Sequence, residues 1–317
     1  MLEKFALQLA VGDQLTDEQV REAVEQLADD KIQAAIKADF LSALAKKGET
    51  ADEIAAFVRA LREKSISPPI DSAWRNSHEI LDVVGTGGDR LGTFNISTGA
   101  ALICAAAGVV VAKHGNRAVT SQAGSADALE ALGIRIDLTP ADAVRSLQGH
   151  GFAFFFAPAW HPAFKHISPA RKLCAERGQR TIFNYLGPLL NPVRPSAMLI
   201  GVPRPELCEP MARVLQSLGV RRAMVVCGAV QDPDTTVHGC IDELSTLGEN
   251  TIAEFYQERG FATSTLLTEQ FPLQEAVLAD LLGSDRHANA EIIRRIFRGA
   301  ESDPGKLCGF WHRDAYP

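Results

Sequence analysis

The sequence predicts an α/β protein in which a small N-terminal all-helical domain precedes a larger α/β domain, whose mainly parallel sheet is flanked by helices. Three observations support this prediction. The first 65 or so residues carry only helical periodicity, and from residue 79 strand-like apolar runs alternate with amphipathic segments. A polar, proline-containing stretch over residues 65–76 separates the two regions. We therefore expect a helical domain over 1–66, part of which can return later in the chain, and an α/β domain over 75–317.

Two capping boxes mark helix starts in the N-terminal region. Thr16 is followed three residues later by Gln19, and Thr50 by Glu53, so each pair can satisfy free amides at the start of a helix. Apolar residues at helical spacing follow both boxes, and a further apolar segment around Phe40 ends at Gly48. These signals predict three short amphipathic helices.

The α/β region alternates between the two kinds of element. Buried strands are predicted at 80–84, 109–111, 152–156, 197–202 and 222–227, with helices at 100–107, from 139 onward and at 206–218. Alternating elements of this kind bury their apolar faces best around a parallel sheet. The segment 183–192, with its Gly-Pro and Asn-Pro steps, is predicted to be a packed turn.

Charge and composition exclude several classes of protein. The net charge is −7 and no long Lys/Arg run occurs, so neither a nucleic-acid-binding nor an anionic-membrane surface is expected. No apolar run approaches the roughly 20 residues of a membrane span. The first residues lack the basic and apolar regions of a secretory signal, and the six cysteines are scattered without a C-x-x-C pair. We expect reduced thiols and a cytoplasmic location.

The first candidate site is the glycine-rich loop Gly85-Thr86-Gly87-Gly88-Asp89, which follows a predicted strand, with hydroxyl and amide side chains over 93–98 at the next helix start. Glycines and free helix amides allow close approach of an anion, as phosphate or pyrophosphate binding requires. The loop matches neither G-x-x-x-x-G-K-[ST] nor G-x-G-x-x-G, which removes the main support for nucleoside triphosphate and dinucleotide binding. The alternative is an ordinary tight turn.

The second candidate site follows the next strand and consists of Lys113-His114-Gly115-Asn116-Arg117, with Ser121 and Ser125 near another helix start. Cations beside a helix start suit a sugar phosphate. Because the carboxyl ends of parallel strands meet at one edge of the sheet, both loops are expected to face one crevice. The alternative is that Lys113 and Arg117 are solvated loop charges and His114 is a structural histidine.

The third candidate site is the pair Asp242-Glu243, preceded by His238. Two adjacent carboxylates in a loop can both reach a hard cation such as magnesium bridging to phosphate. The alternative is an acidic pair at an exposed turn or helix start. A fourth candidate is Arg171, whose guanidinium can pair with a carboxylate through two hydrogen bonds.

Together these motifs resemble those of the anthranilate phosphoribosyltransferases. The resemblance extends to about residue 300 and rests on segments 47–50, 82–89, 93–98, 113–117, 180–184, 186–189 and 242–243. It implies a helical domain joined to an α/β domain, and a homodimer formed through the helical part. It also implies a magnesium-dependent enzyme of tryptophan biosynthesis. Such an enzyme transfers the 5-phosphoribosyl group of phosphoribosyl pyrophosphate to the amine of anthranilate, giving N-(5-phosphoribosyl)anthranilate and pyrophosphate.

The resemblance also assigns roles to residues. Phosphoribosyl pyrophosphate would be bound by Gly85, Gly88, Asp89, Thr93, Asn95, Ile96, Ser97, Thr98, Lys113, His114, Gly115, Asn116, Arg117, Ser121 and Ser125. Anthranilate would be lined by Gly85, Asn116 and Arg171, with Arg171 near its carboxylate. Two magnesium ions are implied, one on Ser97 and one on Asp242 and Glu243. No general base is assigned, because an aromatic amine is already uncharged at neutral pH.

Segment 172–179 is longer by a few residues than is usual in the family, which bears on where Arg171 stands relative to the acceptor. Two other enzymatic readings remain open: a same-fold transferase with another aromatic amine acceptor, and a pyrimidine nucleoside phosphorylase. A non-catalytic relative that binds nucleic acid is disfavoured by the net charge.

Overall fold

The computed structural model describes residues 1–118, 122–231, 238–270 and 276–299, so the predicted ligand Ser121 lies outside the described residues. The N-terminal region contains four helices: α1 (Leu2–Ala10), α2 (Asp17–Ala28), α3 (Ala34–Lys47) and α4 (Ala51–Glu63). The three predicted helices are confirmed as α2, α3 and α4, whereas α1 was not predicted. Helix α1 starts at Met1 with no side-chain cap, so it lacks the polar start signal, although it buries Leu2, Phe5 and Leu9 along one face.

The two predicted capping boxes are confirmed. Thr16 Oγ1 accepts the amide of Gln19, and Glu53 Oε2 accepts the amide of Thr50 at 3.0 Å. Glu53 also accepts the amide of Leu15 and a bond from Lys47 at 2.6 Å, which ties the start of α4 to the preceding helices.

The predicted boundary segment follows the end of α4 and contains a short helix, α5 (Ser72–Ser77), that the sequence analysis did not predict. Asp71 supplies the start signal, because its carboxylate accepts the amide of Trp74 at 2.9 Å. The two prolines at 68 and 69 precede this helix and leave it intact.

The α/β region is built on an eight-stranded sheet with the strands β1 (Ile80–Gly85), β2 (Val110–Gly115), β3 (Phe152–Phe156), β4 (Ala197–Gly201), β5 (Arg222–Gln231), β6 (His238–Ile241), β7 (Asn250–Tyr256) and β8 (Gly260–Leu266). The order is β3-β2-β1-β4-β5-β7-β8, and β6 pairs with β5 beyond the end of β4. Strands β1 to β5 pair in parallel, as predicted, whereas β6, β7 and β8 form antiparallel pairs that the sequence analysis did not predict.

The remaining helices are α6 (Ile96–Ala106), α7 (Ser125–Ala131), α8 (Pro140–His150), α9 (Ala157–Trp160), α10 (Phe164–Glu176), α11 (Phe183–Leu189), α12 (Cys208–Ser217), α13 (Leu278–Leu281) and α14 (Arg286–Phe297). Helix α11 occupies most of the segment predicted to be a packed turn. Its Pro188 has no amide hydrogen for the carbonyl of Asn184, so this short helix forms with one intrahelical hydrogen bond missing. No helix in the described ranges is long and apolar enough to cross a bilayer.

The largest apolar core joins the N-terminal helices to the later helices α10, α11 and α12 and to one face of the sheet. Lys37 of α3 shows how closely these parts meet, because its buried ammonium donates to the carbonyls of Asp29 and His166 at 2.7 and 2.9 Å. Helices α10 and α11 therefore pack with the N-terminal layer while lying beside the carboxyl end of the sheet.

Candidate active site

A crevice of about 1130 Å³ opens at the carboxyl ends of β1 and β2. Nearly all of the described residues predicted to bind substrate or metal line it: Gly85, Asp89, Thr93, Asn95, Ile96, Ser97, Thr98, Lys113, His114, Gly115, Asn116, Arg117, Ser125, Arg171, Asp242 and Glu243. Gly88 does not, because a side chain there would point at Pro203, 2.9 Å away. The expectation that both loops face one crevice is confirmed.

The glycine loop is shaped by its contact with Asp242. The amide of Gly87 donates to Asp242 Oδ2 at 2.5 Å, and Thr86 Oγ1 donates to the same oxygen at 3.3 Å. A Cβ at Gly85 would lie 2.8 Å from that oxygen, and a Cβ at Gly201 only 1.5 Å from the Asp242 carbonyl oxygen. Since Gly85 and Gly201 are register partners on β1 and β4, two adjacent glycines make room for the chain leaving β6.

Oxygen donors cluster where this loop meets the start of α6. Glu243 Oε1 accepts the amide of Ser97 at 3.1 Å, which places a carboxylate at the helix N-terminus. Asp89 Oδ2 is buried and has no hydrogen-bond partner in the described part of the chain. Burial and the nearby charges of Asp89 and Glu243 hold the pKa of the Asp242 carboxyl well above its ordinary value.

These donors fit a divalent cation. A magnesium ion would satisfy the orphaned carboxylate oxygen of Asp89 and offset the like charges, and carboxylate and hydroxyl oxygens are its preferred ligands. Within the described ranges, no three His, Cys, Asp or Glu side chains form a cage that could hold a metal by themselves. The arrangement therefore suits an ion that completes its coordination with phosphate oxygens and water.

Lys113 lies inside β2 and is buried, which contradicts the alternative of a solvated loop charge. Its ammonium donates to the carbonyl of Val83 at 2.7 Å and to Ser97 Oγ at 3.4 Å. Burial lowers the pKa of Lys113, while the charges of Asp82 and Glu243 oppose that change. The lysine thus places a cation between the two strands that carry the anion-binding loops.

Arg117 has carboxylate partners of its own. It pairs with Asp127 at 3.0 Å and with Glu130 at 2.6 Å, both on α7, and these carboxylates raise its pKa. The backbone nearby is tightly packed, because a Cβ at Gly115 would lie 2.2 Å from Ser125 Oγ. The loop after β2 therefore presents backbone and Ser125 to the crevice beside an arginine already held by α7.

The far end of the crevice is more apolar and contains Arg171. Its guanidinium carbon lies 5.2 Å from the centre of the Phe183 ring, and it makes no hydrogen bond or ion pair with any side chain that the structure describes. Arg171 remains open to the crevice, although surrounding protein lowers its pKa. A cation stacked on an aromatic ring without an anionic partner is suited to a planar carboxylate.

Residues without an assigned role complete this end. His161 Nε2 lies 3.2 Å from His114 Nε2, and Phe164 stacks on His161 with ring centres 5.1 Å apart. Burial lowers the pKa of His114 to about 3 and that of His161 to about 4, so both rings are neutral at physiological pH. The sequence analysis assigned no role to His161 and Phe164, and their position in the same segment as Arg171 was the only sequence signal for them.

Segment 172–179 extends α10 away from the crevice. Arg177 pairs with Asp39 of α3 at 2.7 Å, and Ser42 Oγ donates to Gln179 at 2.5 Å. None of these residues lines the crevice. The segment therefore attaches α10 to the N-terminal helices, and Arg171 faces the crevice.

Fold and site together define a two-domain glycosyltransferase. The family model "Glycosyl transferase family, helical bundle domain" matches residues 5–65, and "Glycosyl transferase family, a/b domain" matches residues 77–307. An anthranilate phosphoribosyltransferase from Petrotoga mobilis is 42% identical over 299 residues, covering 94% of this chain and 82% of the relative. The enzyme of that name from Roseiflexus castenholzii is 43% identical over 298 residues, covering 93% and 82%.

Solved structures agree with these relatives. Anthranilate phosphoribosyltransferase from Thermus thermophilus superposes with a TM-score of 0.82 at 38% identity, covering 99% of this chain and 90% of that one. The Saccharomyces cerevisiae enzyme in complex with PRPP and Mg superposes with a TM-score of 0.81 at 26% identity, covering 98% and 85%. The chain belongs to the anthranilate phosphoribosyltransferase family.

Proposed function

We propose that this enzyme transfers the 5-phosphoribosyl group of phosphoribosyl pyrophosphate to the amine of anthranilate, releasing pyrophosphate. The observation that carries the proposal is Arg171, which stacks on Phe183 and has no anionic partner among the described residues, in the same crevice as the glycine loop and the acidic cluster. One end of the crevice thus suits a carboxylate on an aromatic ring, and the other suits a phosphate-bound cation. A yeast relative was solved with PRPP and Mg, and again with 4-fluoroanthranilate.

The donor would be held by the residues around the glycine loop, the start of α6 and the loop after β2. These are Gly85, Gly88, Asp89, Thr93, Asn95, Ile96, Ser97, Thr98, Lys113, His114, Gly115, Asn116, Arg117, Ser121 and Ser125. Two magnesium ions would be held, one by Ser97 and one by Asp242 and Glu243. When bound, they would neutralise charge on the pyrophosphate leaving group.

The residues present fit a reaction in which the bond from the ribose to pyrophosphate breaks with positive charge developing on the sugar. The ammonium of Lys113, which lies beside Ser97 Oγ at the start of α6, would stabilise the departing anion. Arg171, with Gly85 and Asn116, would orient anthranilate so that its uncharged amine faces the ribose. No side chain is required to deprotonate the amine before attack.

The same proposal includes the enzyme's setting. We place it in tryptophan biosynthesis, with domains over 1–66 and 75–317, as a cytoplasmic homodimer that assembles through the helical domain. Helix α1 supports this assembly, because it carries Leu7 and ends beside Val11, both of which are exposed. Size-exclusion chromatography with light scattering measures the oligomeric state directly.

The experiment that tests the activity follows the loss of anthranilate fluorescence with phosphoribosyl pyrophosphate and magnesium. Arg171→Gln is expected to raise the KM for anthranilate about tenfold or more while leaving donor binding unchanged. Arg177→Gln is the matched control, because this arginine lies near the end of the same helix but pairs with Asp39 outside the crevice. Absence of turnover with anthranilate, together with phosphate-dependent cleavage of a pyrimidine nucleoside, would replace the proposal with a phosphorylase.

A further inference from the structure

At the end of helix α11, the backbone carbonyl of Leu189 has no backbone partner. The carbonyl of Leu189 has no donor three residues on, since Pro192 lacks an amide hydrogen. The next possible donor, the amide of Val193, is taken by Asn191 Oδ1 at 2.9 Å. A buried carbonyl in this position needs a side-chain donor.

Arg62 supplies that donor from helix α4. Its Nε and Nη2 atoms donate to the Leu189 carbonyl at 3.0 and 2.6 Å, across 127 residues of sequence. The side chain is buried, with 8% of the residue exposed, and it pairs with no carboxylate in the described part of the chain. Burying an arginine without an acidic partner costs desolvation free energy. The hydrogen bonds to the Leu189 carbonyl therefore indicate what this side chain does.

The backbone that Arg62 holds is part of the crevice wall. Gly187, Pro188 and Leu190, which flank Leu189, all line the crevice at the Arg171 end. The charge of Arg62 also contributes to lowering the pKa values of His114 and His161, which shows that it lies close behind the same wall. By contrast, the loops that would bind the donor are attached to β1, β2 and α6, and none of their described residues is hydrogen-bonded to Arg62.

We propose that Arg62 is a positioning residue for the acceptor: by fixing the Leu189 carbonyl, it sets where the wall formed by Gly187, Pro188 and Leu190 stands opposite Arg171. The inference rests on the proposed function, because it takes the aromatic acceptor to occupy that end of the crevice. It assigns to the N-terminal helical layer a direct part in acceptor binding.

If Arg62 only stabilised the fold, its replacement would have no specific effect on the KM for anthranilate. The chain offers a matched control for this alternative. Arg75 of α5 donates to the carbonyl of Val193 at 2.6 Å, which is the same kind of bond to the same turn. Val193 does not line the crevice. If these arginines only stabilise the fold, Arg62→Gln and Arg75→Gln should have the same effect on catalysis.

The test measures the KM for anthranilate at saturating donor, the Kd of phosphoribosyl pyrophosphate with magnesium, and the Tm of each variant. Arg62→Gln is expected to raise the anthranilate KM about tenfold or more, with the donor Kd within about twofold of wild type. Arg62→Lys restores one donor and should recover part of the loss. Arg75→Gln should lower the Tm without changing the anthranilate KM.

Either of two results would overturn the inference: an anthranilate KM in Arg62→Gln within about twofold of wild type, or an equal rise in Arg75→Gln. If Arg62→Gln does not fold, Arg62→Lys decides, since an unchanged KM at wild-type Tm counts against the inference and a raised KM with intact donor binding supports it. Wild-type enzyme that consumes no anthranilate would instead refute the proposed function, and the inference with it.

Discussion

Replacing Gly85 with alanine tests whether Asp242 is held where the structure places it. The new Cβ would lie 2.8 Å from Asp242 Oδ2 and 3.0 Å from its Cγ, whereas ordinary contact begins near 3.4 Å. The carboxylate must therefore retreat by roughly half an ångström. It cannot do so freely, because the same oxygen accepts the amide of Gly87 at 2.5 Å.

The size of the effect follows from this conflict. Overpacking of a tight site costs about 1–3 kcal/mol, and about 1.4 kcal/mol corresponds to a tenfold change in an equilibrium constant. If the donor-bound state needs Asp242 in place, magnesium-dependent binding of phosphoribosyl pyrophosphate should weaken about tenfold or more in Gly85→Ala. The neighbouring Gly201 is a poorer choice, because alanine there would collide with backbone at 1.5 Å and threaten the fold itself.

Titration calorimetry of the donor with magnesium, together with thermal unfolding, measures both effects. Gly149→Ala in helix α8 is the control, since a Cβ there meets nothing within 4 Å. It should leave donor binding unchanged and stabilise the protein by up to about 1 kcal/mol through helix propensity. Wild-type donor affinity and wild-type Tm in Gly85→Ala would refute the reasoning about Asp242.

Three further predictions follow from buried charges. Asp242→Asn should abolish magnesium-dependent donor binding. It should also raise the Tm of the metal-free protein, because it removes one carboxyl group from the cluster with Asp89 and Glu243. An unchanged Tm would contradict this prediction. Burial raises the pKa of Asp82 to about 6, above an unfolded value of about 4, so its contribution to stability is present below pH ~4 and lost as pH rises through ~6. Urea unfolding across that range should show that the free energy of unfolding falls by about 3 kcal/mol at most as the pH rises. The fall should be absent from Asp82→Asn. Lys47→Met leaves the buried Glu53 carboxylate without its cation and should lower the free energy of unfolding by about 3–5 kcal/mol. A Tm near that of the wild type would contradict this prediction.

The donor half of the site could be predicted because its signals are local. A buried strand, a glycine loop and a polar helix start occur in continuous sequence at Gly85 and at Lys113, and parallel strands bring their ends together. The position of Lys113 was less predictable, because the predicted strand ended at residue 111 and Lys113 was assigned to the following loop. The strand includes residues 113–115, because Lys113 finds the carbonyl of Val83 as a buried partner on β1.

Other features could not be predicted because their causes are not local. Helix α1 has no side-chain cap, and α11 forms although it contains Pro188. The passage of Asp242 across the sheet edge requires Gly85 and Gly201 at the same register, a coincidence between residues far apart in sequence. The contact between Arg62 and Leu189 likewise joins two residues that no short motif connects.

The two ends of the crevice are thus supported by different parts of the molecule. The anion-binding end is carried by β1, β2 and α6, whose positions are fixed by parallel strand pairing and by the buried Lys113. The Arg171 end is carried by α10 and α11, which pack in one core with the N-terminal helices, and α11 is also held by the bonds from Arg62 to Leu189. Since side chains in a close-packed core transmit small displacements to their neighbours, substitutions in the N-terminal helices should alter acceptor binding before they alter donor binding.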